Sequence, residues 1–237
     1  MANAPAKHAP AGILPRSVAW SLDAACLLPL VLLLGSARMG NALEQARVAW
    51  DAMATAMPRL LEQAIGGAPD ALALARLWLA DPALAGASAS LQSALSDLLL
   101  TPLLLYALLA CVWTVGFEAS AWQATPGKRA VGLSVVDGDG RRLRSGGALL
   151  RFLAAGLSWL TLNIGHALAA FPPHLALHDH VSSTRVLAAQ DDRPRMPPWA
   201  WAWLALLGLA FLIAVGWGFV HLQAAMQAAM DRALGTF

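Results

Sequence analysis

Two ionisable residues, Arg16 and Asp23, stand at the start of the first long apolar stretch of the chain. The 19 residues from Ser17 to Gly35 contain only one ionisable group, Asp23, and at about 1.5 Å of rise per helical residue they can cross the roughly 30 Å core of a bilayer. An ionised carboxylate inside such a span costs about 2.5–3.5 kcal/mol on insertion scales, so Asp23 needs a partner. Arg16 lies seven residues earlier on the same helical face. We predict that the two act as one electrostatic unit, in direct contact or through a bridging group such as Asp179, Glu118 or water. The alternatives are an interfacial anchor for Arg16 and a neutral, hydrogen-bonded acid for Asp23.

Composition indicates a membrane protein. Of the 237 residues 58% are apolar and only 13% are charged, and the apolar residues occur in blocks of the length that spans a bilayer. The chain has no basic cluster interleaved with aromatic residues, which argues against nucleic-acid binding. Cys26 and Cys111 both lie in apolar blocks, where we expect small hydrophobic side chains rather than a disulfide or a metal site.

The apolar blocks predict an all-α, polytopic helical membrane protein with three to four membrane segments, a third segment that is re-entrant or crosses, and a small inner hairpin. The predicted parts are a disordered tail at 1–15, a membrane domain at 16–187 with spans at about 17–35, 98–117 and 148–171 and an outer helical insertion at 38–96, a linker at 188–198, and an additional span with a short tail at 199–237. The first apolar run also mimics a cleavable signal peptide. A retained span is the favoured interpretation, because it accounts for Asp23.

The sequence of the insertion predicts two or three short amphipathic helices. Gly66-Gly67-Ala68-Pro69 interrupts it, Asp70 can cap a helix over 71–80, and Asp81-Pro82 ends that helix. We expect a connector on the outer ends of the spans, or a docking site for a partner. In the second span, Pro102 is expected in the first turns, where a missing amide hydrogen costs least.

The loop after the second span sets the predicted orientation. Residues 118–147 carry five basic residues, whereas 38–96 carries four basic and five acidic ones, so the positive-inside rule places 118–147 and the N-terminus in the cytoplasm. Tandem Asp-Gly pairs at 137–140 predict a small hairpin in this loop.

The third apolar block holds polar residues at its centre, including Asn163 and His166. Such residues are tolerated where they line a cavity or are buried in protein, and they predict a kink or re-entry that leaves Asp179 on the same side as Lys128. A simple crossing is the alternative. His174, His178 and His180 follow without a companion Cys or Glu motif, so we predict no metal site and no cofactor.

Several separated motifs resemble the RDD family of multi-pass bacterial membrane proteins, whose name records one Arg and two Asp. Arg16, Asp23 and Asp179, the last in Leu177-His178-Asp179, stand where the family pattern places them. The segments Phe117-Glu118-Ala119, Thr125-Pro126-Gly127-Lys128-Arg129 and Gly132–Asp137 resemble the exit of the family's second span and its inner loop. The resemblance implies a charge cluster of Arg16, Asp23 and Asp179 with five supporting residues: Glu118, Thr125, Gly127, Lys128 and His178.

The resemblance implies a bacterial inner-membrane location and transport of a ligand. We therefore expect an ion or small-ligand transport role in the lipid bilayer, since intramembrane carboxylates suit ion or proton chemistry. The competing hypothesis is a non-catalytic assembly or scaffold protein that binds a partner membrane protein or a second copy of itself. Because no nucleophile, base or cofactor motif stands out, we do not expect an enzyme.

Overall fold

The computed structural model describes residues 10–67, 71–160, 163–188 and 196–233. Its helices and strands, in chain order, are α1 (Ile13–Gly67), α2 (Ala71–Ala80), α3 (Pro82–Glu118), α4 (Pro126–Ala130), β1 (Leu133–Asp137), α5 (Ser145–Leu160), α6 (Ile164–Ala167), a 3-10 turn (Leu168–Ala170), α7 (Leu177–Val181), β2 (Thr184–Ala188) and α8 (Pro198–Ala233). The chain divides into two compact units, Met1–Asp23 with Thr114–Phe237, and Ala24–Trp113.

Among the described residues, three helical stretches are long and apolar enough to cross a membrane. They are Ile13–Ala56, Pro82–Glu118 and Pro198–Ala228. A fourth candidate is the pair Ser145–Trp159 and Ile164–Ala170, which is bent by 113°. The prediction of a helical protein with three to four membrane segments is confirmed.

The helices around the predicted insertion are longer than expected. Helix α1 continues through 55 residues to Gly67. The alanine-rich sequence after Gly35 favours a helix, and the helix continues through Gly40 and Pro58. The break at Gly67 and the helix over 71–80 are present as predicted, while Asp70 lies outside the described residues. The position expected for Pro102 was wrong: it is inside α3, which already begins at Pro82. Asp81 is the N-cap of this helix, since its carboxylate accepts a hydrogen bond from Leu84 N at 2.9 Å.

Within the unit Ala24–Trp113, α1 and α3 pack closely through small residues. Arg38 donates to Asp97 at 2.7 Å, and a Cβ added to Gly35 would lie 3.3 Å from the side chain of Leu105. The two helices are antiparallel, because the earlier residue of α1, Gly35, lies near the later residue of α3, Leu105, and Arg38 lies near Asp97. The buried small residues recur every seven positions along α1 and again along α3: Gly35, Ala42, Ala49 and Ala56, and Ala87 and Ala94. Such a repeat lets two helix backbones approach closely.

A small sheet lies in the other unit. Strands β1 and β2 are antiparallel, with Val135 opposite Val186, and both of these side chains are fully buried. Pro10 bridges to Leu187, and Ala11 N donates to Val186 O at 2.9 Å. Residues 10 and 11 of the predicted disordered tail are therefore part of the fold.

The predicted hairpin at the Asp-Gly turn is limited to an isolated β-bridge between Val136 and Arg142. The full ladder of β1 is made with β2, a pairing that the sequence did not predict. A local turn signal identifies neighbouring residues only, whereas the partner strand begins almost fifty residues further along the chain.

The third apolar block is broken where the sequence predicted a kink. Helix α5 ends at Leu160, and Asn163 adopts a left-handed backbone conformation with φ of 65° before α6 begins. Strand β1 precedes this bent pair and β2 follows it, so the chain leaves one sheet, makes the bend and returns to the same sheet.

Candidate functional site

Six ionisable side chains meet beside the small sheet, three acidic and three basic. They come from α1, the end of α3, α4, α5 and α7, and most of them are shielded from solvent: Arg16, Asp23, Glu118, Lys128, Arg151 and Asp179. Their formal charges cancel, and hydrogen bonds or ion pairs hold each of them.

Asp179 is bound by two arginines. Its side chain is fully buried and lies 2.6 Å from Arg16 Nη1, while Arg151 Nη1 donates to the other oxygen. Ala176 N also donates to this carboxylate at 2.9 Å, at the start of α7. Burial by itself would raise the pKa of Asp179, but the attraction of Arg151 and Arg16 outweighs it and holds the pKa below its usual range. Asp179 is therefore an anion locked in place.

Arg16 joins three parts of the fold. Besides Asp179, its guanidinium donates to the carbonyl oxygens of Ala11 and His174, each at 2.9 Å. The predicted association of Arg16 with Asp179 is thus present. It connects the N-terminal segment to the loop that precedes α7.

Arg151, at the centre of the network, is the residue that the sequence reasoning missed. Its side chain is 5% exposed and pairs with both Asp179 and Glu118, the latter at 3.4 Å from Nε to Oε2. It also donates to Thr184 Oγ1 at 2.6 Å. A single charged residue inside the third apolar block was a visible signal, the same one that identified Asp23 in the first span.

Glu118 and Lys128 form the next link. Lys128 Nζ donates to Glu118 Oε1, and the glutamate side chain is fully buried. Its Oε2 has no hydrogen-bond donor among the described residues and has only the ion pair with Arg151. Charges therefore alternate in sign from Lys128 through Glu118, Arg151 and Asp179 to Arg16.

Asp23 accepts hydrogen bonds from two of the predicted supporting residues. Thr125 Oγ1 donates to Oδ2, and Gly127 N donates to Oδ1 at 2.8 Å, whereas the ion pair of Arg16 is with Asp179. The seven-residue spacing placed Arg16 and Asp23 on one helix face correctly. It could not show which groups of other elements bind each side chain. That Arg16 and Asp23 act as one electrostatic unit stays a prediction.

The Thr-Pro-Gly-Lys segment is shaped to hold Asp23. Thr125 caps α4 by accepting from Lys128 N at 3.3 Å, and Pro126 occupies the first helical position, where its ring is favourable. Gly127 is required by contact: a Cβ there would lie 2.2 Å from the carbonyl oxygen of Ala19. The supporting roles expected of Thr125 and Gly127 thus have a physical basis.

His178 adjoins the network as a neutral ring. Its Nε2 lies 3.6 Å from Asp179 Oδ1, and its ring centroid is 5.0 Å from that of His166. Burial, followed by repulsion from Arg151, lowers the pKa of His178 to about 2. Among the described residues, no three His, Cys, Asp or Glu side chains converge as metal ligands.

Comparison with known proteins gives one family. The model of the RDD family matches residues 10–234, nearly the whole chain, including α8. One relative, the uncharacterized protein YxaI of Bacillus subtilis (strain 168), is 39% identical over 69 residues, which cover 29% of this chain and 46% of that protein. The match thus spans about half of that relative's length, and no solved structure matches the chain.

Proposed function

Because this chain belongs to the RDD family and is a membrane protein with three long apolar helices, we propose that it transports an ion or a small ligand across the bacterial inner membrane. The observation that carries the proposal is the buried network of alternating charges. A helical membrane protein of this size needs no buried ions to fold, and each unpaired one would be costly. The clustering of these buried charged side chains therefore supports a role in the movement of an ion or a proton.

Asp23 is the residue best suited to bind the transported cation or proton. It belongs to a candidate span, and its two oxygens accept hydrogen bonds from a hydroxyl group and a backbone N–H group. A cation at this carboxylate competes with both donors and loosens the contact between α4 and α1. Asp179, fixed by two arginines, serves as the anchor of the network.

The sheet supports a topology for the proposed transporter. A small sheet with open edges belongs outside the hydrocarbon core, and it contains Pro10, β1 and β2. The N-terminal segment, the end of α3 and both ends of the bent pair then lie on one side of the membrane, which makes the third block re-entrant. The basic residues of 118–147 favour the cytoplasm for that side.

Transport is tested with the full chain in liposomes that contain a pH-sensitive dye. Gradients of Na⁺, K⁺ or Li⁺ are imposed, and we expect at least one of them to drive proton movement above that of protein-free liposomes. Asp23→Asn keeps the shape of the side chain but removes its charge and should abolish this movement. Asp139→Asn, at an exposed turn, is the matched control and should leave it unchanged. Wild-type traces that equal those of empty liposomes for all three ions would refute cation-coupled proton transport.

A second candidate function, that of a scaffold for a partner membrane protein, is favoured by the length of the helices. At about 1.5 Å per residue, α1 is roughly 80 Å long, well beyond the core of a bilayer. Its later part exposes large apolar side chains, including Val48 at 60% and Trp50 at 62%. Silent liposomes together with a stable partner that copurifies with wild type, and is lost on Trp50→Ala, would favour this function.

A further inference from the structure

A second group of charged and aromatic side chains lies just beyond the end of α3, outside the buried network. The candidate span ends at Glu118, and the chain then folds into a compact turn. Ser120 N donates to Phe117 O, and Gln123 N donates to Ser120 O, both at 3.2 Å. Trp122, in this turn, exposes 49% of its surface. Trp122 lies four residues past the end of this candidate span, and indoles near span ends favour the lipid headgroup region.

Trp122 contacts both an aromatic ring and a cation. The ring centroid of Phe117 lies 5.3 Å away with an angle of 25° between the planes, and Arg129 Cζ lies 4.7 Å from the centroid of the indole. The preceding residue, Lys128, pairs with the buried Glu118. Helix α4 therefore carries two consecutive cations with different contacts: Lys128 binds the buried network, and Arg129 lies over the exposed indole.

A second arginine is fixed to the same turn. Arg142 Nε donates to Ala119 O at 2.8 Å, and Nη2 donates to the same oxygen. In the part of the chain that the structure describes, neither Arg129 nor Arg142 forms an ion pair with an acidic side chain. Two exposed guanidinium groups are thus held in place at one membrane edge, with their charges uncompensated.

We propose that Arg129, Arg142 and Trp122 form a binding site for the phosphate headgroup of an anionic phospholipid. Guanidinium groups match the oxygen geometry of a phosphate, and basic side chains next to a span attract anionic lipids. The indole supplies an apolar face at headgroup depth. The contacts to Phe117 and Ala119 fix the site before the lipid arrives, which lowers the ordering cost of binding.

The test uses the purified full chain in detergent and native mass spectrometry with phosphatidylglycerol and phosphatidylcholine. Wild type should retain phosphatidylglycerol in preference to phosphatidylcholine. The double variant Arg129→Gln with Arg142→Gln should bind phosphatidylglycerol at least about tenfold more weakly, given the attraction of each basic side chain for anionic lipid. Arg141→Gln with Arg185→Gln removes the same charge from exposed positions outside the site and should change binding by less than about twofold.

Two further substitutions separate the aromatic contribution from charge. Trp122→Ala should weaken phosphatidylglycerol binding, while Trp122→Phe retains a ring for Arg129 and should preserve most of it. Equal losses in the two arginine doubles would overturn the proposal in favour of diffuse charge attraction. Equal retention of the two lipids by wild type would also overturn it, as would displacement of phosphatidylglycerol by equimolar inorganic phosphate, which indicates a free-phosphate site. None of these results depends on whether the protein transports an ion.

Discussion

Gly127→Ala tests whether the close contact between α4 and α1 holds Asp23. An added Cβ would lie 2.2 Å from the carbonyl oxygen of Ala19 and 2.9 Å from Asp23 Cγ. The backbone oxygen cannot rotate away, so α4 must shift and the 2.8 Å hydrogen bond from Gly127 N to Asp23 must break.

The expected loss of stability has two parts. Overpacking a buried site costs about 1–3 kcal/mol, and losing a hydrogen bond to a buried charged group costs about 1.5–3 kcal/mol. We therefore expect Gly127→Ala to lower the free energy of unfolding by at least about 2.5 kcal/mol. For a chain of this length this corresponds to a fall in Tm of at least about 5 °C.

The assay is thermal unfolding of the purified protein in detergent, followed by fluorescence. Gly116→Ala, in α3, is the control, because a Cβ there meets no atom within 4 Å; it should leave Tm unchanged or raise it slightly, since alanine is the better helix former. Gly127→Ala and Asp23→Ala remove the same bond, so the double variant should lose less than the sum of the singles. A Tm of Gly127→Ala within 2 °C of wild type would refute the reasoning.

Three further predictions concern the network and the topology. Arg151→Gln leaves two buried carboxylates short of a partner and should cost about 3–5 kcal/mol, whereas Arg38→Gln, at an exposed pair, should cost less than about 1 kcal/mol; similar Tm losses in the two variants would contradict the central role of Arg151. His178 is neutral in the folded protein, with a pKa of about 2, and has a pKa near 6.5 when unfolded, so its contribution to stability is complete above about pH 6.5 and falls by up to about 1.4 kcal/mol per pH unit below it. The free energy of unfolding of His178→Gln should therefore fall less than that of wild type between pH 7 and 5. An equal fall in the two proteins would show that the folded ring is accessible to protons. With both native cysteines replaced, Ser145→Cys and Ser183→Cys should react with a membrane-impermeant thiol reagent from the same side of the membrane, and reaction from opposite sides would establish a full crossing.

Local sequence patterns predicted the positions of the helices better than they predicted which segments pack against each other. The apolar blocks located the membrane segments, and the glycine pair ending at Gly67 marked the end of α1, because helix formation and termination depend on neighbouring residues. The length of α1 escaped prediction. Its residues beyond Gly35 are more polar, and what holds them in a helix pair is the seven-residue repeat of small side chains that face α3.

The candidate site was predicted in most of its members, although Arg151 was missed, and in only part of its connections. Arg16, Asp23 and Asp179 are all part of it, and Thr125 and Gly127 hold Asp23 as supporting residues. Spacing along one helix predicted that Arg16 and Asp23 act as one unit, but it could not identify the groups that the tertiary fold brings to each side chain. Here the fold brings Asp179 to Arg16. The same limit hid the pairing of β1 with β2, since two strands so far apart in the chain share no local signal.

The sheet that gathers Pro10, β1 and β2 also sets the order in which the protein can be assembled. Arg16 and Asp179 are separated by 163 positions, which at synthesis rates of 5–20 residues per second corresponds to roughly 8–33 s. During this interval α1 is already made, while its arginine has no access to its final carboxylate and Pro10 has no strand to join. The first span must therefore wait in the membrane in an incomplete state, and β2 closes the sheet only when its own residues have been synthesised. Truncation before β2 should thus leave a chain whose first helix is inserted but whose charge network is open, a natural substrate for membrane quality-control proteases.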